Sequence, residues 1–326
     1  MTTVAPVPVV DPDEAAPPAA PTRTPGRSGS GSVGKGSAGW FVRITILVVV
    51  AIWLIPAVGV LITSFRPEEA ADSTGWWTAL PNLFDASEWT LDNYRAALDA
   101  GGFSNALLNS LAMSIPATIM PITVAAFAAY AFSWMDFRGR HVLFVLVVGL
   151  MVVPLQMALI PILRLYTTGA SIGDVSIIPD PELNGTFLGV WLAHTAFGLP
   201  LATYLLRNYI GALPSSIIES AKIDGAGHFT IFWRLVVPLS LPALAAFAIF
   251  QFLWVWNDLL VSYVFLGGTR QTRVVTIALA NLVGSRGENW HLLTSAAFIT
   301  MVLPLIVFFS LQRYFVRGLT AGSVKG

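Results

Sequence analysis

Cysteine is absent from the 326 residues. That excludes disulfides, thiolate zinc sites, iron–sulfur clusters and cysteine nucleophiles. Charge is also scarce, at 11% of the chain against about 25% in an ordinary soluble domain. The 18 basic and 18 acidic residues cancel, so no general attraction to nucleic acid is implied. No pair of histidines has the spacing of a zinc-binding helix, and no metal site is read from the sequence. A hydrolase elbow and a catalytic carboxylate pair are missing too, so no catalytic residue is assigned.

Apolar residues fill 55% of the chain. In water they could be hidden only by aggregation, and lipid is the simpler solvent. Residues 1–40 differ from the rest, being rich in Ala, Pro, Gly and Ser with charges of both signs. Such a segment cannot bury enough apolar surface to fold and is expected to be a disordered tail. It lacks the basic start, short apolar core and adjoining cleavage site of a signal peptide. Its run Gly29-Ser30-Gly31-Ser32-Val33-Gly34-Lys35-Gly36 nearly matches a phosphate-binding loop. Gly36 stands where a hydroxyl should hold magnesium, and no strand precedes the run. It is read as low-complexity tail.

Residues 41–326 are expected to form one transmembrane domain. Six stretches without Asp, Glu, Lys or Arg are long enough for the roughly 20-residue helix that crosses a bilayer. They are Ile44–Phe65, Ala100–Met135, His141–Leu163, Leu183–Leu206, Leu235–Asn257 and Asn289–Gln312. The second is too long for one span, and Gly101–Ser104 reads as an entry turn. Prolines at 56, 116, 121, 154, 161, 200, 242 and 304 are tolerable in lipid, where neighbouring groups re-satisfy the freed carbonyls. With the amino terminus in the cytoplasm, twelve basic residues fall inside and six outside. This bias sets the expected orientation, with both termini cytoplasmic.

The loop between the fourth and fifth stretches, within residues 211–238, is built for local order. Ser216 followed three residues later by Glu219 fits a capping box. Gly225 fits a helix stop in the left-handed conformation. A helix of about two turns is predicted, with Ile217, Ala221 and Asp224 on one face. Two polar residues stand out within the spans. Asp258, in Trp256-Asn257-Asp258, is read mainly as a hydrogen-bonded pin between helices aided by Asn257, with the lining of a solute path as the functional alternative. His194 is read as a satisfied packing histidine.

The segment Glu219-Ser220-Ala221-Lys222-Ile223-Asp224-Gly225-Ala226, with Leu235-Val236-Val237-Pro238 beyond it, resembles the EAA loop of ABC importer permeases. Ser220 replaces one alanine, while the glycine, both aliphatics and the proline fall on the family spacing. Asn109-Ser110-Leu111, Ala129-Tyr130-Ala131-Phe132, Trp256-Asn257-Asp258 and the run Gln312–Gly326 are similar to the carbohydrate branch that includes MalG of the maltose importer. Trp134, where a basic residue is usual, departs from the pattern.

The resemblance implies an all-α membrane protein of six transmembrane helices with the type I importer permease fold, in the cell membrane. It implies a second permease subunit, two ATPase subunits and an extracytoplasmic solute-binding protein as partners, with a sugar, favoured to be a di- or oligosaccharide, as cargo. The chain itself would need no cofactor, since ATP is bound by the partner subunits, and would be no enzyme. Glu219, Ala221, Asp224, Gly225, Ala226 and Pro238 would couple it to an ATPase, with Glu219 fixing the helix start. Trp256, Asn257 and Asp258 would line the path or pin the helices. The alternatives are a permease for another solute class or a secondary carrier.

Overall fold

The computed structural model describes residues 37–173, 175–282 and 289–321. The expectations for residues 1–36, including the Gly29–Gly36 run, lie outside the described residues, as does the final part of the carboxyl-terminal signature, 322–326. Two units are distinguished, Met1–Leu54 and Ile55–Gly326. The described part of the first is the opening of helix α1 (Ser37–Ser64), which begins inside the segment read as tail. Trp40, Phe41, Leu47 and Trp53 are exposed there, and the Thr45 hydroxyl donates to the Phe41 carbonyl at 2.9 Å. A helix apolar on every side, with its hydroxyl satisfied internally, suits lipid.

In the second unit, short helices α2 (Glu68–Ser73) and α3 (Asp92–Asp99) lead through a turn at Ala100–Gly102 into α4 (Phe103–Trp134). Gly101 and Gly102 both have positive φ, so the entry turn read at Gly101–Ser104 exists in its first half, while Phe103 and Ser104 already belong to α4. After α4 come α5 (Arg140–Gly149), α6 (Leu155–Thr168) and α7 (Phe187–Gly211). Among the described residues four helices, α1, α4, α7 and α14 (Trp290–Ala321), contain stretches long and apolar enough to cross a membrane. Two bent pairs bring the total to six if each is one span.

The bends correct the expectation of straight spans. In the His141–Leu163 stretch, α5 and α6 meet at 105°. Val153 (ψ 118°) and Pro154 (ψ 129°) are extended between them. Proline excludes its predecessor from the helical region and offers no N–H, so the helix stops and restarts. Pro116, Pro121 and Pro200 stay inside continuous helices. The fifth stretch is bent as well. Helix α9 (His228–Ile231) passes through a π-turn at Phe232–Val236 into α10 (Val237–Leu239), and α11 (Leu241–Trp256) departs at 72°. Pro238 and Pro242 sit in the first turns of α10 and α11, where a missing N–H costs nothing. Helices α12 (Leu260–Phe265) and α13 (Val275–Leu282) follow.

One element departs from the all-α expectation. Strands β1 (Ala170–Ile172) and β2 (Val175–Ile178) pair antiparallel after α6. Gly169, at φ 68°, introduces them where a Cβ would collide with the Ile178 carbonyl.

Helices α4 and α7 pack along their length. The buried face of α4 carries Ala106, Ser110, Ser114, Ala117, Ala125 and Ala129, and that of α7 Gly189, Ala193, Gly198 and Ala202. Lipid supplies no hydrophobic drive between helices, so close backbone approach over small side chains takes its place. The buried side chains gather in clusters at two ends. One, around Ala129, Leu206, Ile210, Ile218 and Phe232, supports the loop after α7. Toward the other end lie Met113, Tyr166, Val190 and Phe265, and Phe103, Phe252 and Trp256.

Candidate functional site

Beyond α7, the chain turns at Ala212–Pro214 into α8 (Ser215–Ile223). The predicted capping box is not formed. Pro214 (φ −58°, ψ 125°) occupies the cap position and α8 begins at Ser215, so Ser216 and Glu219 are not in capping register. Pro214 sets the start because its ring allows the required turn, and its carbonyl accepts the Ile217 N–H at 3.2 Å. The first amides lie at an exposed end where water can serve them.

The other end of α8 closes as expected. The Ala226 N–H donates to the Ala221 carbonyl at 2.9 Å and the Gly225 N–H to that of Lys222 at 3.0 Å. These are the two bonds of a Schellman motif. Gly225 has φ 79°, and a Cβ built on it would meet nothing within 4 Å. The demand for glycine is therefore conformational, not steric. Asp224 stands at the C-cap.

Ile218 alone on α8 is fully buried, packing with Ile231, Phe232 and Val236. Below it the Tyr130 hydroxyl and His228 Nδ1 share a hydrogen bond of 2.9 Å, and Trp134 Nε1 donates to the Ile210 carbonyl at 3.1 Å. Glu219, Ser220, Lys222 and Ile223 point outward. Ser216, Ile217, Ser220, Ala221, Asp224 and Leu235 line an open groove, so the face read from the sequence exists. The result is a nine-residue helix fastened beneath by Ile218, with Ala221 packed beside it, and presenting its other faces.

At the opposite end, α11 terminates in Trp256-Asn257-Asp258. Trp256 is buried and its Nε1 donates to the Thr300 carbonyl of α14 at 3.2 Å. Asn257 donates to Leu253 of its own helix at 2.8 Å and reaches no other helix among the described residues, contrary to the expected shared pin. Asp258 caps α12: Oδ1 accepts from Val261 N–H at 3.2 Å, and Oδ2 from the Ser262 N–H and hydroxyl, each at 2.7 Å. Its carbonyl accepts from Thr276 Oγ1 at 2.7 Å. Its Oδ2 also stands 3.6 Å from His194 Nε2. His194 is fully buried against the edge of Trp254, with no hydrogen-bond partner for either nitrogen among the described residues. It is thus not the satisfied packing histidine expected, and its approach to Asp258 from α7 was hidden by sequence distance.

Asn109 and Ser110 have clear tasks. Asn109 Nδ2 donates to the Gln271 and Arg273 carbonyls at 2.8 and 3.0 Å, and Ser110 Oγ accepts the Val275 N–H at 2.8 Å. A cavity walled by Met151, Pro154, Leu155, Phe197, Pro200 and Trp254 opens at the α5–α6 bend. A hydroxyl-rich solute there would leave its hydrogen bonds unmade, so it is not read as a solute site.

Comparison with known proteins gives the following. The family model for the binding-protein-dependent transport system inner membrane component matches residues 107–321. An osmoprotective compounds uptake permease protein of Synechocystis, GgtD, is 58% identical over 87% of this chain and 91% of its own. The alpha-glucoside transport system permease protein AglG of Rhizobium meliloti is 43% identical over 88% and 97%. A chain of a bacterial ABC transporter that imports the acidic polysaccharide alginate superposes with a TM-score of 0.66 at 18% identity, over 85% of this chain and 96% of that one.

Proposed function

The chain belongs to the family of binding-protein-dependent transport system inner membrane components, and from that membership we propose that it is one permease subunit of an importer for α-linked glucosides, including those that serve as osmoprotectants. The observation that carries this reading is the loop after α7. Its spacing, Schellman closure at Gly225 and anchoring through Ile218 make α8 a rigid knob on the end of the bundle. An importer driven by ATP needs a rigid contact of this kind, because only an element with discrete positions passes motion on.

On this reading the groove from Ser216 to Asp224 seats in one of two ATPase subunits. Glu219 lies outward toward that partner, and its role is contact, not capping. Ala221, Gly225 and Ala226 hold the closure, and Pro238 starts the return helix. A second permease completes the path, and a solute-binding protein delivers the cargo outside. ATP is bound and hydrolysed on the partner subunits. Trp256 and Asp258 fix α11 to α14, α12 and α13 at the far end, with Asn257 finishing its own helix. The chain from the start of α1 at Ser37 acts as the membrane domain, and the residues before it as a cytoplasmic tail.

The glucoside assignment draws on the names of the two relatives. Proteoliposomes with the complete importer and its binding protein should take up a labelled α-glucoside only with internal ATP. Other α-glucosides should compete and β-glucosides should not. Uptake confined to non-sugar osmoprotectants would overturn the substrate class, and uptake without ATP would overturn the importer. Orientation is tested separately in this cysteine-free chain. An impermeant thiol reagent should label Ser87→Cys in intact cells and miss Ser220→Cys; the reverse pattern would invert the topology.

A further inference from the structure

Three residues with no part in that function converge where α2 meets the start of α14. Glu68 and Asp72 are four apart on α2 and so share a face. His291, the second residue of α14, is 6% exposed. Its Nε2 lies 3.9 Å from Glu68 Oε2 and its Nδ1 3.9 Å from Asp72 Oδ1. Nδ1 is buried and has no hydrogen-bond partner among the described residues. One ligand-capable atom from each of the three residues can be chosen so that all lie within 4.8 Å of one another. The backbone N–H of Trp290 donates to Asp72 Oδ1 at 3.2 Å and steadies that carboxylate.

A buried imidazole nitrogen without a partner is costly to leave unsatisfied. The ring stands between Asp72, nearest Nδ1, and Glu68, nearest Nε2, and so gathers a nitrogen lone pair and carboxylate oxygens as a metal site does. We propose that Glu68, Asp72 and His291 bind a divalent first-row transition ion, of which Zn²⁺ is the probe. Zinc bonds of about 2.0–2.2 Å to nitrogen and oxygen bring ligand atoms closer together than they stand here. Glu68, with a side chain 71% exposed, and Asp72, at 34%, have room to rotate inward around the fixed histidine. The imidazole selects against magnesium and calcium, which prefer oxygen alone. Bound there, the ion would tie α2 to a helix more than two hundred residues further along the chain.

The test uses the full-length chain, carrying a tag without histidine, purified in detergent and stripped with a chelator. Equilibrium dialysis against Zn²⁺ with elemental analysis should find about one ion per chain. Glu68→Gln, Asp72→Asn and His291→Gln should each weaken binding by at least about tenfold, and excess Mg²⁺ should not displace the ion. Co²⁺ should give a visible absorption band that His291→Gln removes. Glu68→Gln alters an exposed side chain, so its loss of affinity cannot be put down to misfolding. Zinc binding unchanged by Glu68→Gln and Asp72→Asn, or none at about 100 µM, would overturn the proposal. Neither readout depends on transport, so this site and the importer reading can fail separately.

Discussion

The two ends of the second unit are held by different means. At the loop end α8 itself is closed by backbone, with a Schellman turn at Gly225, a proline at its start and one buried side chain, Ile218, beneath it, while Tyr130 and Trp134 bond only within its base. The opposite end is stitched by side chains that satisfy distant carbonyls. Arg66, almost fully buried, donates to the Gly75 carbonyl at 3.0 Å and to the Thr74 and Thr78 hydroxyls at 2.8 and 3.1 Å, with Glu88 3.7 Å away. Asn93 Nδ2 donates to the Ser64 and Arg66 carbonyls at 3.0 and 2.7 Å. Asn109 works in the same way, and the Asp258 carbonyl is met by the Thr276 hydroxyl. A backbone closure makes a small element stiff in itself while leaving its outer faces free. A stitched network makes several elements immobile relative to one another. The first suits a part that must be pushed, and the second a frame.

The comparison breaks most visibly at Gly225. Replacement by valine forces a β-branched residue to φ 79°, at roughly 1–2 kcal/mol or more. Uptake should fall by at least about tenfold while membrane abundance holds, as expected where local geometry and not the core is lost. Because no atom crowds the site, Gly225→Asn should keep most of the uptake, since asparagine visits this region readily. Equal loss in both variants would show that space, not conformation, is at stake. Arg66→Met should act on the frame instead. It leaves the part-buried Gly75 carbonyl and Glu88 without their partner, at about 1–3 kcal/mol, and should lower the temperature of thermal inactivation in detergent. An unchanged temperature would mean that the stitching is redundant. The smallest effect is expected for Ser216→Ala. A true N-cap would cost about 1 kcal/mol, whereas the position found here predicts a thermal stability indistinguishable from the parent.

Hydropathy was enough to place the long helices, because a bilayer imposes length and composition directly. The loop was legible for a similar reason, since Gly225 and the turn after it are local backbone chemistry. What escaped was whatever depends on partners far along the chain or on choices between near-equal local options. Pro154 breaks its helix and Pro121 does not, although both lie in apolar stretches; the surrounding packing decides. Ser216 and Glu219 had the right spacing for a box, but Pro214 set the helix start earlier. The gathering of His194 with Asp258, and of His291 with Glu68 and Asp72, joins residues that the sequence keeps apart by dozens or hundreds of positions.

The π-turn at Phe232–Val236 has a consequence for counting. A π-turn holds one residue more than an α-turn, and one residue is worth about 100° of helical rotation. Deleting any residue between Phe232 and Val236 would let the segment rewind as ordinary helix and leave its length almost unchanged. The widened turn holds its extra residue within about one turn, so the side chains beyond it, up to the bend at Ser240, would keep nearly the facing they have. The π-turn therefore acts as a buffer for the number of residues between Gly225 and the bend at Ser240. A single deletion inside the π-turn can be taken up by rewinding, whereas a deletion in the ordinary helix around it would rotate Pro238 and the start of α11 by about 100° away from the partners they meet.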